Sequence, residues 1–150
     1  MPELAPVRVS VVLCSASSEA LDALVPPGHG ARTCRTAPDE ALFVSPPEVA
    51  SDVAREVADR VAALDDDALV LDVSDGWAAL GLRGSDARDA LAYVSQLELP
   101  ETGFTQGAVA HVAAKILVDD DALIVLVPAY WRDHVRERLV HDARAAEVAS

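Results

Sequence analysis

Two cysteines and four histidines are the side chains best suited to nucleophilic or metal chemistry in this 150-residue chain. Cys14 or Cys34 would act as a nucleophile only with an imidazole, that of His29 or His111, beside it to take the proton. Cys14 ends a valine-rich apolar run, residues 9–14, and a cysteine in such a strand reads as an inert small hydrophobe. His134 and His141 are seven residues apart and can share a helix face, but two imidazoles leave a metal short of ligands. Asp65-Asp66-Asp67 lacks the alternating acids, mid-loop glycine and terminal glutamate of a calcium loop, so a solvated turn is expected there. Gly28-His29-Gly30 and Gly81-Leu82-Arg83-Gly84 lack the glycine spacing and following helix of a phosphate loop and read as turns. The chain holds no nucleophile elbow, Walker loop, zincin pair or dinucleotide fingerprint. The expectation is therefore that no residue is catalytic, cofactor-binding or metal-ligating.

Composition narrows the partners. Net charge is −13 and no cluster of Lys or Arg exists to offset it, Lys115 being the only lysine. A phosphate backbone or an anionic membrane would be repelled, so neither nucleic acid nor membrane is expected as a partner. Aromatic residues make up 4% of the chain, too few for base-stacking platforms. Hydrophobic residues make up 51%, with a mean hydropathy of +0.21, enough for one domain spanning 1–150 with a core of Ala, Val and Leu. Two cysteines without C-x-x-C spacing indicate reduced thiols and a cytoplasmic location. The run 9–14 is too short and too weakly flanked by positive charge for a signal segment, and no stretch approaches the roughly 20 residues of a membrane span.

The elements that would position these side chains are organised around residues 72–91. Apolar runs at 69–73 and 77–82 flank Ser74-Asp75-Gly76, and an Asp-Gly pair so placed predicts a tight β-hairpin. Ser85 is then read as the cap of a helix over 86–96. Earlier, residues 1–6 read as a loose end, 7–14 as one strand, 19–24 as a short helix, and 31–36 and 41–45 as strands. A helix from Pro46 carries an apolar stripe of Val49, Val53, Val57, Val61 and Leu64. Later, 101–107 reads as a loop and 109–118 as one long strand. Its even positions are apolar and its odd ones include His111 and Lys115. A strand at 122–127 leads through Pro128 into a final helix with Trp131, Val135, Leu139 and Ala143 as its buried stripe.

The chain also repeats itself. Residues 18–24 match 85–91 at an offset of 67, and DEALFVSPPEVASDVARE from Asp39 matches DDALIVLVPAYWRDHVRE from Asp120 at an offset of 81. In the second match Pro47 aligns with Pro128, Asp52 with Asp133 and Arg55 with Arg136. A first repeat over about 7–64 and a second over about 68–147 follow, with extra residues in the second between 93 and 118. Amphipathic helices need a sheet to cover. The fold class expected is α+β, internally duplicated, with a mainly antiparallel sheet covered by amphipathic helices.

The run DVSDGWAALGLRGSDARDAL at 72–91, followed by Phe104-Thr105-Gln106-Gly107 and the strand at 122–128 with its helix, resembles the gamma subunit of heterotetrameric sarcosine oxidase. The resemblance extends loosely over 38–146. It implies the folate-binding fold shared with the glycine-cleavage aminomethyltransferase, itself a duplication. It further implies a non-catalytic subunit with no cofactor of its own, whose larger partner subunits hold flavin, NAD and tetrahydrofolate. The alternative it leaves open is a stand-alone tetrahydrofolate-binding protein or one-carbon transferase, or a homo-oligomer of it. This chain enters its first strand earlier than the family does, and it matches no folate-contacting motif.

Interface candidates come from strand alternation. Trp77, Gly81 and Arg83 alternate along one face of the expected hairpin strand, and His111 and Lys115 along the polar face of the long strand. Trp and Arg are enriched in binding hot spots. The competing reading places Trp77 in the core and Lys115 in water.

Overall fold

The computed structural model describes residues 2–149, and for 143 and 145–149 the backbone alone. The chain divides into two compact units, one of Arg8–Asp75 and the other of the residues up to Val7 together with those from Gly76 onward. In chain order the elements are β1 (Glu3–Val7), β2 (Ser10–Ser15), α1 (Ser18–Ala23), β3 (Arg32–Ala37), β4 (Glu40–Ser45), α2 (Ala50–Ala62), β5 (Leu69–Asp72), β6 (Trp77–Arg83), α3 (Ala87–Ala92), β7 (Gly103–Val109), β8 (Val112–Val118), β9 (Ala122–Pro128) and α4 (Arg132–Ala149).

The first unit is a four-stranded antiparallel sheet in the order β3-β4-β2-β5. One face of it, Val12, Cys14, Ala41 and Phe43, packs under α1 and α2. Helix α2 is placed by its stripe: Val53, Val57 and Val61 recur one turn apart and are all buried. Each such valine contributes roughly 1.5 kcal/mol or more of hydrophobic stabilisation. Ser17 caps α1, its Oγ accepting from the Ala20 amide at 3.1 Å. Ser10 and Ser45, opposite each other on β2 and β4, satisfy one another across 2.8 Å in the buried layer.

The second unit is a five-stranded antiparallel sheet in the order β1-β6-β9-β8-β7. Leu80, Leu82, Leu123, Val125 and Ile116 pack with Ala87 and Leu91 of α3 and with Val135 and Leu139 of α4. The two sheets carry the same plan. With β6 standing for β2, β9 for β4 and β8 for β3, the order β3-β4-β2-β5 becomes β8-β9-β6-β1, and β7 is the added edge. It lies among the extra residues of the second repeat, between 93 and 118. The expected class holds: the chain is α+β, duplicated, with two antiparallel sheets and four α-helices among the described residues.

Several local expectations are corrected. The residues flanking Ser74-Asp75-Gly76 do not form a hairpin: β5 pairs with β2 in one sheet, and β6 with β1 and β9 in the other. Ser74–Gly76 is a 3₁₀ turn tied to β2, the Ser74 Oγ accepting from the Val11 amide at 2.8 Å. The expected loose end is strand β1, and the expected single strand over 7–14 is broken between β1 and β2. The expected loop at 101–107 is β7, and the single strand over 109–118 is a β7-β8 hairpin. Ala110 and His111 form its turn at φ 49° and 67°, a left-handed pair that matches the strand twist. Helix α3 begins after Asp86, not at a Ser85 cap, and ends at Ala92. Leu64 lies beyond the end of α2 and is 45% exposed. Of the α4 stripe, Val135 and Leu139 are buried, Trp131 is 42% exposed, and the side chain of Ala143 lies outside the described residues.

Candidate functional site

In antiparallel strands, residues directly opposite project to the same face. Trp77 opens β6 opposite Pro128, and Arg83 closes it opposite Ala122 and Glu3. Lys115 stands opposite Leu126 on β9 and Gln106 on β7. Since Leu126 is also opposite Ala79, residues Trp77, Ala79, Arg83 and Lys115 share the sheet face turned away from α3 and α4. They do not form one cluster, because Trp77 and Arg83 are six residues apart on the strand, about 20 Å. Trp77 is half-buried and Arg83 exposed. Lys115 is half-buried, its Nζ donating to Gln106 Oε1 at 2.7 Å. Between them Gly81 is needed for space: a Cβ there would stand 2.6 Å from Val7 Cγ2 on β1.

His111 is separated from Lys115. It occupies the β7-β8 turn rather than a strand face, so the expected alternation of the two is corrected. The turn leads instead to a cleft of about 560 Å³ lined by Tyr93, Ser95, Gln96, Leu97, His111 and Arg138 among others. Its walls are held by local bonds. Ser95 Oγ donates to the Ala108 carbonyl at 2.8 Å, the Ala110 amide donates to the Val94 carbonyl at 2.8 Å, and Leu97 lies over Gly107, where a Cβ would collide with it. Arg138 pairs with Asp142 one turn on, at 3.2 Å. Among the described residues that line the cleft none is Asp or Glu.

An exposed aromatic group next to this turn was missed in the sequence. Tyr130 is 81% exposed, and Trp131 packs between it and His134 with ring centroids 5.7 and 5.5 Å away. The His134 Nε2 lies 3.1 Å from the Ala110 carbonyl and, with its proton there, donates to it. His134 and Arg138, one turn apart on α4, thus connect the aromatic pair to the cleft. The signal was Pro128: it is followed by the 3₁₀ turn Ala129–Trp131, which takes Trp131 out of the α4 periodicity.

The residues first considered for chemistry are placed elsewhere. Cys14 and Cys34 are buried, without a disulfide. Burial, with a smaller effect from the charge of Asp65, raises the Cys14 pKa and keeps it a thiol. His29 lies 3.3 Å from Glu56 on α2. Asp65 accepts from the Ser17 and Asp67 amides at 2.8 and 2.9 Å, which lower its pKa, so the triple aspartate is a built turn as well as a solvated one. Among the described residues no three of His, Cys, Asp and Glu converge as a metal site would require. Among them, too, no helix is long and apolar enough to cross a membrane.

No protein-family model matches the chain, and no curated protein matches it by sequence. Solved structures do. The chain is similar to a chain of the heterotetrameric sarcosine oxidase from Corynebacterium sp. U-96 in complex with pyrrole 2-carboxylate, with a TM-score of 0.78 and 16% identity over 96% of this chain and 84% of that one. It is similar to the glycine cleavage system aminomethyltransferase T from Bartonella henselae, with a TM-score of 0.70 and 16% identity, over 94% of this chain but 46% of that one. A lesser likeness, with a TM-score of 0.56 and 11% identity, joins it to the ligand-free regulatory subunit of aspartate kinase from Thermus thermophilus, over 93% and 97% of the two chains. At these identities what is shared is architecture: the chain has the duplicated α+β fold of the sarcosine oxidase chain and the aminomethyltransferase, the fold its resemblance implied.

Proposed function

We propose that this chain is a non-catalytic, gamma-like subunit of a sarcosine-oxidase-type flavoenzyme complex, acting in the assembly and stabilisation of a large folate-binding subunit. The observation that carries this reading is the extent of the likeness. It runs along 96% of this chain and 84% of the sarcosine oxidase chain, against less than half of the transferase. On this reading flavin, NAD and tetrahydrofolate sit in the partner subunits, none in this chain, and the complex is cytoplasmic. The exposed surface of the second unit, Tyr130 and Trp131 with the cleft beside His111, supports a role in contact, since large aromatic side chains in solvent favour association.

The test is a pull-down from the native host followed by mass spectrometry and absorption spectroscopy. The purified chain alone is expected to be colourless and inactive on sarcosine, and the recovered assembly to carry larger, flavin-containing subunits. A yellow chain that retains flavin through gel filtration overturns the reading. So does recovery of the chain alone or as a homo-oligomer holding folate, which selects the stand-alone folate-dependent alternative.

A further inference from the structure

An edge strand exposes unpaired amides and carbonyls, and native sheets blunt their edges against chance pairing. Three of the four edges here are blunted. β1 carries Pro6, which has no N–H. β3 carries Arg32 and Arg35 and a register shift between Arg35 and Ala37. β7 is overlaid near its end by Ser95, bonded to the Ala108 carbonyl, and by Leu97 over Gly107.

β5 is blunted only by its shortness and by the charge of Asp72 at its end. Its four residues, Leu69–Asp72, contain no proline and no basic residue and pair with β2 in unbroken register. Leu69 and Leu71 project to one face and are 51% and 46% exposed, while Val70 packs inward. The strand's ends are fixed from within, by Asp65 accepting from Ser17 and Asp67 and by Asp72 accepting from the Ser74 amide at 2.9 Å. Exposed carboxylates stand outside that frame, Asp66 and Asp67 before the strand and Asp75 after it.

We propose that β5 is a docking edge for an extended segment of another protein, with alternate apolar residues to cover Leu69 and Leu71 and with Lys or Arg at its ends. Added strands gain main-chain hydrogen bonds from the edge and specificity from alternate side chains. The acids at both ends select the partner's charge. A second copy of this chain is the wrong occupant, because antiparallel pairing of two β5 strands about a two-fold axis sets the acids of one end beside those of the other. The inference stands apart from the subunit reading, since any protein presenting such a segment meets it.

The test uses the full chain and two eight-residue peptides of alternating valine and threonine, one ended by arginines and one by glutamates. The arginine-ended peptide is expected to bind, to slow amide exchange over 69–72, and to bind more weakly as salt is raised. The glutamate-ended peptide is expected not to bind. Asp66→Asn, Asp67→Asn and Asp75→Asn combined should weaken the arginine-ended peptide about tenfold with unchanged circular dichroism, three exposed pairs being lost. Leu71→Asn should abolish protection at 69–72. Equal binding of both peptides, protection elsewhere, or no binding overturns the inference, as does self-association that protects 69–72 without peptide. If the peptide binds as expected while no flavin-bearing subunit co-purifies, the subunit reading alone fails.

Discussion

Pro46 and Pro128 occupy the same place in the two units. Each precedes a single 3₁₀ turn and then the unit's long helix, at φ −57°, ψ 144° and φ −53°, ψ 136° respectively. The residues are 82 apart, and the same offset joins Val53 to Val135 and Val57 to Leu139, all buried under their sheets. It also joins Ser45 to Val127, whose opposite residue on β6 is Ala78 where Ser45 faces Ser10 on β2, the same strand step with the serine pair replaced by apolar residues.

From this equivalence we predict that Val53→Asp and Val135→Asp each destabilise by about 3 kcal/mol or more, because each buries an unpaired carboxylate. Urea melts of the two variants check this. An unchanged midpoint in either would remove that residue from its unit's core.

The duplication was legible in the sequence, but its register was not. The identities at Asp52, Arg55 and their counterparts draw the match to an offset of 81, which aligns Pro47 with Pro128. One residue matters little on a solvent-facing helix side and reverses every side chain of a strand. The fold class and the buried valines of α2 followed from periodicity, which packing obeys. The central hairpin failed because Asp75-Gly76 is a local signal, and pairing was decided by β2, whose Val11 carbonyl and amide hold Val73 and Ser74. Strand β7 was missed because Gly103, Gly107 and Gln106 weaken its alternation. Of the interface candidates, Trp77, Arg83 and Lys115 were correctly given to strands, whereas the turn at His111 left no mark, Ala110 being an unusual residue at positive φ.

That turn gives a second prediction. Ala110 at φ 49° bears a left-handed cost that glycine does not, so Ala110→Gly should raise stability by about 1 kcal/mol. A lower urea midpoint would mean that the Ala110 methyl, which is buried, contributes more than the backbone strain costs.

Acid should weaken the first unit through Asp65 and Asp72. The Ser17 and Asp67 amides lower the Asp65 pKa, and the Ser74 hydroxyl and amide lower that of Asp72, both below the ordinary value of 3.8. Folded pKa values below the unfolded ones mean that the contribution is present above 3.8 and is lost as pH falls through the folded values. Stability should therefore decline below about pH 4. Asp65→Asn and Asp72→Asn should each flatten that decline while leaving its neutral-pH end less stable than the parent. Parallel acid limbs in parent and variants would show that other carboxylates govern the loss.

The last prediction separates the aromatic surface from the sheet face. Tyr130 stands almost wholly in solvent, so Tyr130→Ala should change stability by no more than about 0.5 kcal/mol, read from a urea melt. Trp77 is half-buried against the sheet, so Trp77→Ala should cost stability whatever its role in contact. If the chain is a subunit held through its second unit, Tyr130→Ala and Trp131→Ala together should reduce co-purification with the flavin-bearing subunits about thirtyfold. That is the effect of losing about 2 kcal/mol from a hot spot. Lys115→Glu should act less, because its amine already serves Gln106 and a rim charge mainly alters the association rate. Undiminished co-purification of the folded Tyr130→Ala/Trp131→Ala protein would exclude the aromatic pair from the interface. A loss seen only with Trp77→Ala, with that variant still folded at the assay temperature, would place the contact on the face of β6 and β9 instead.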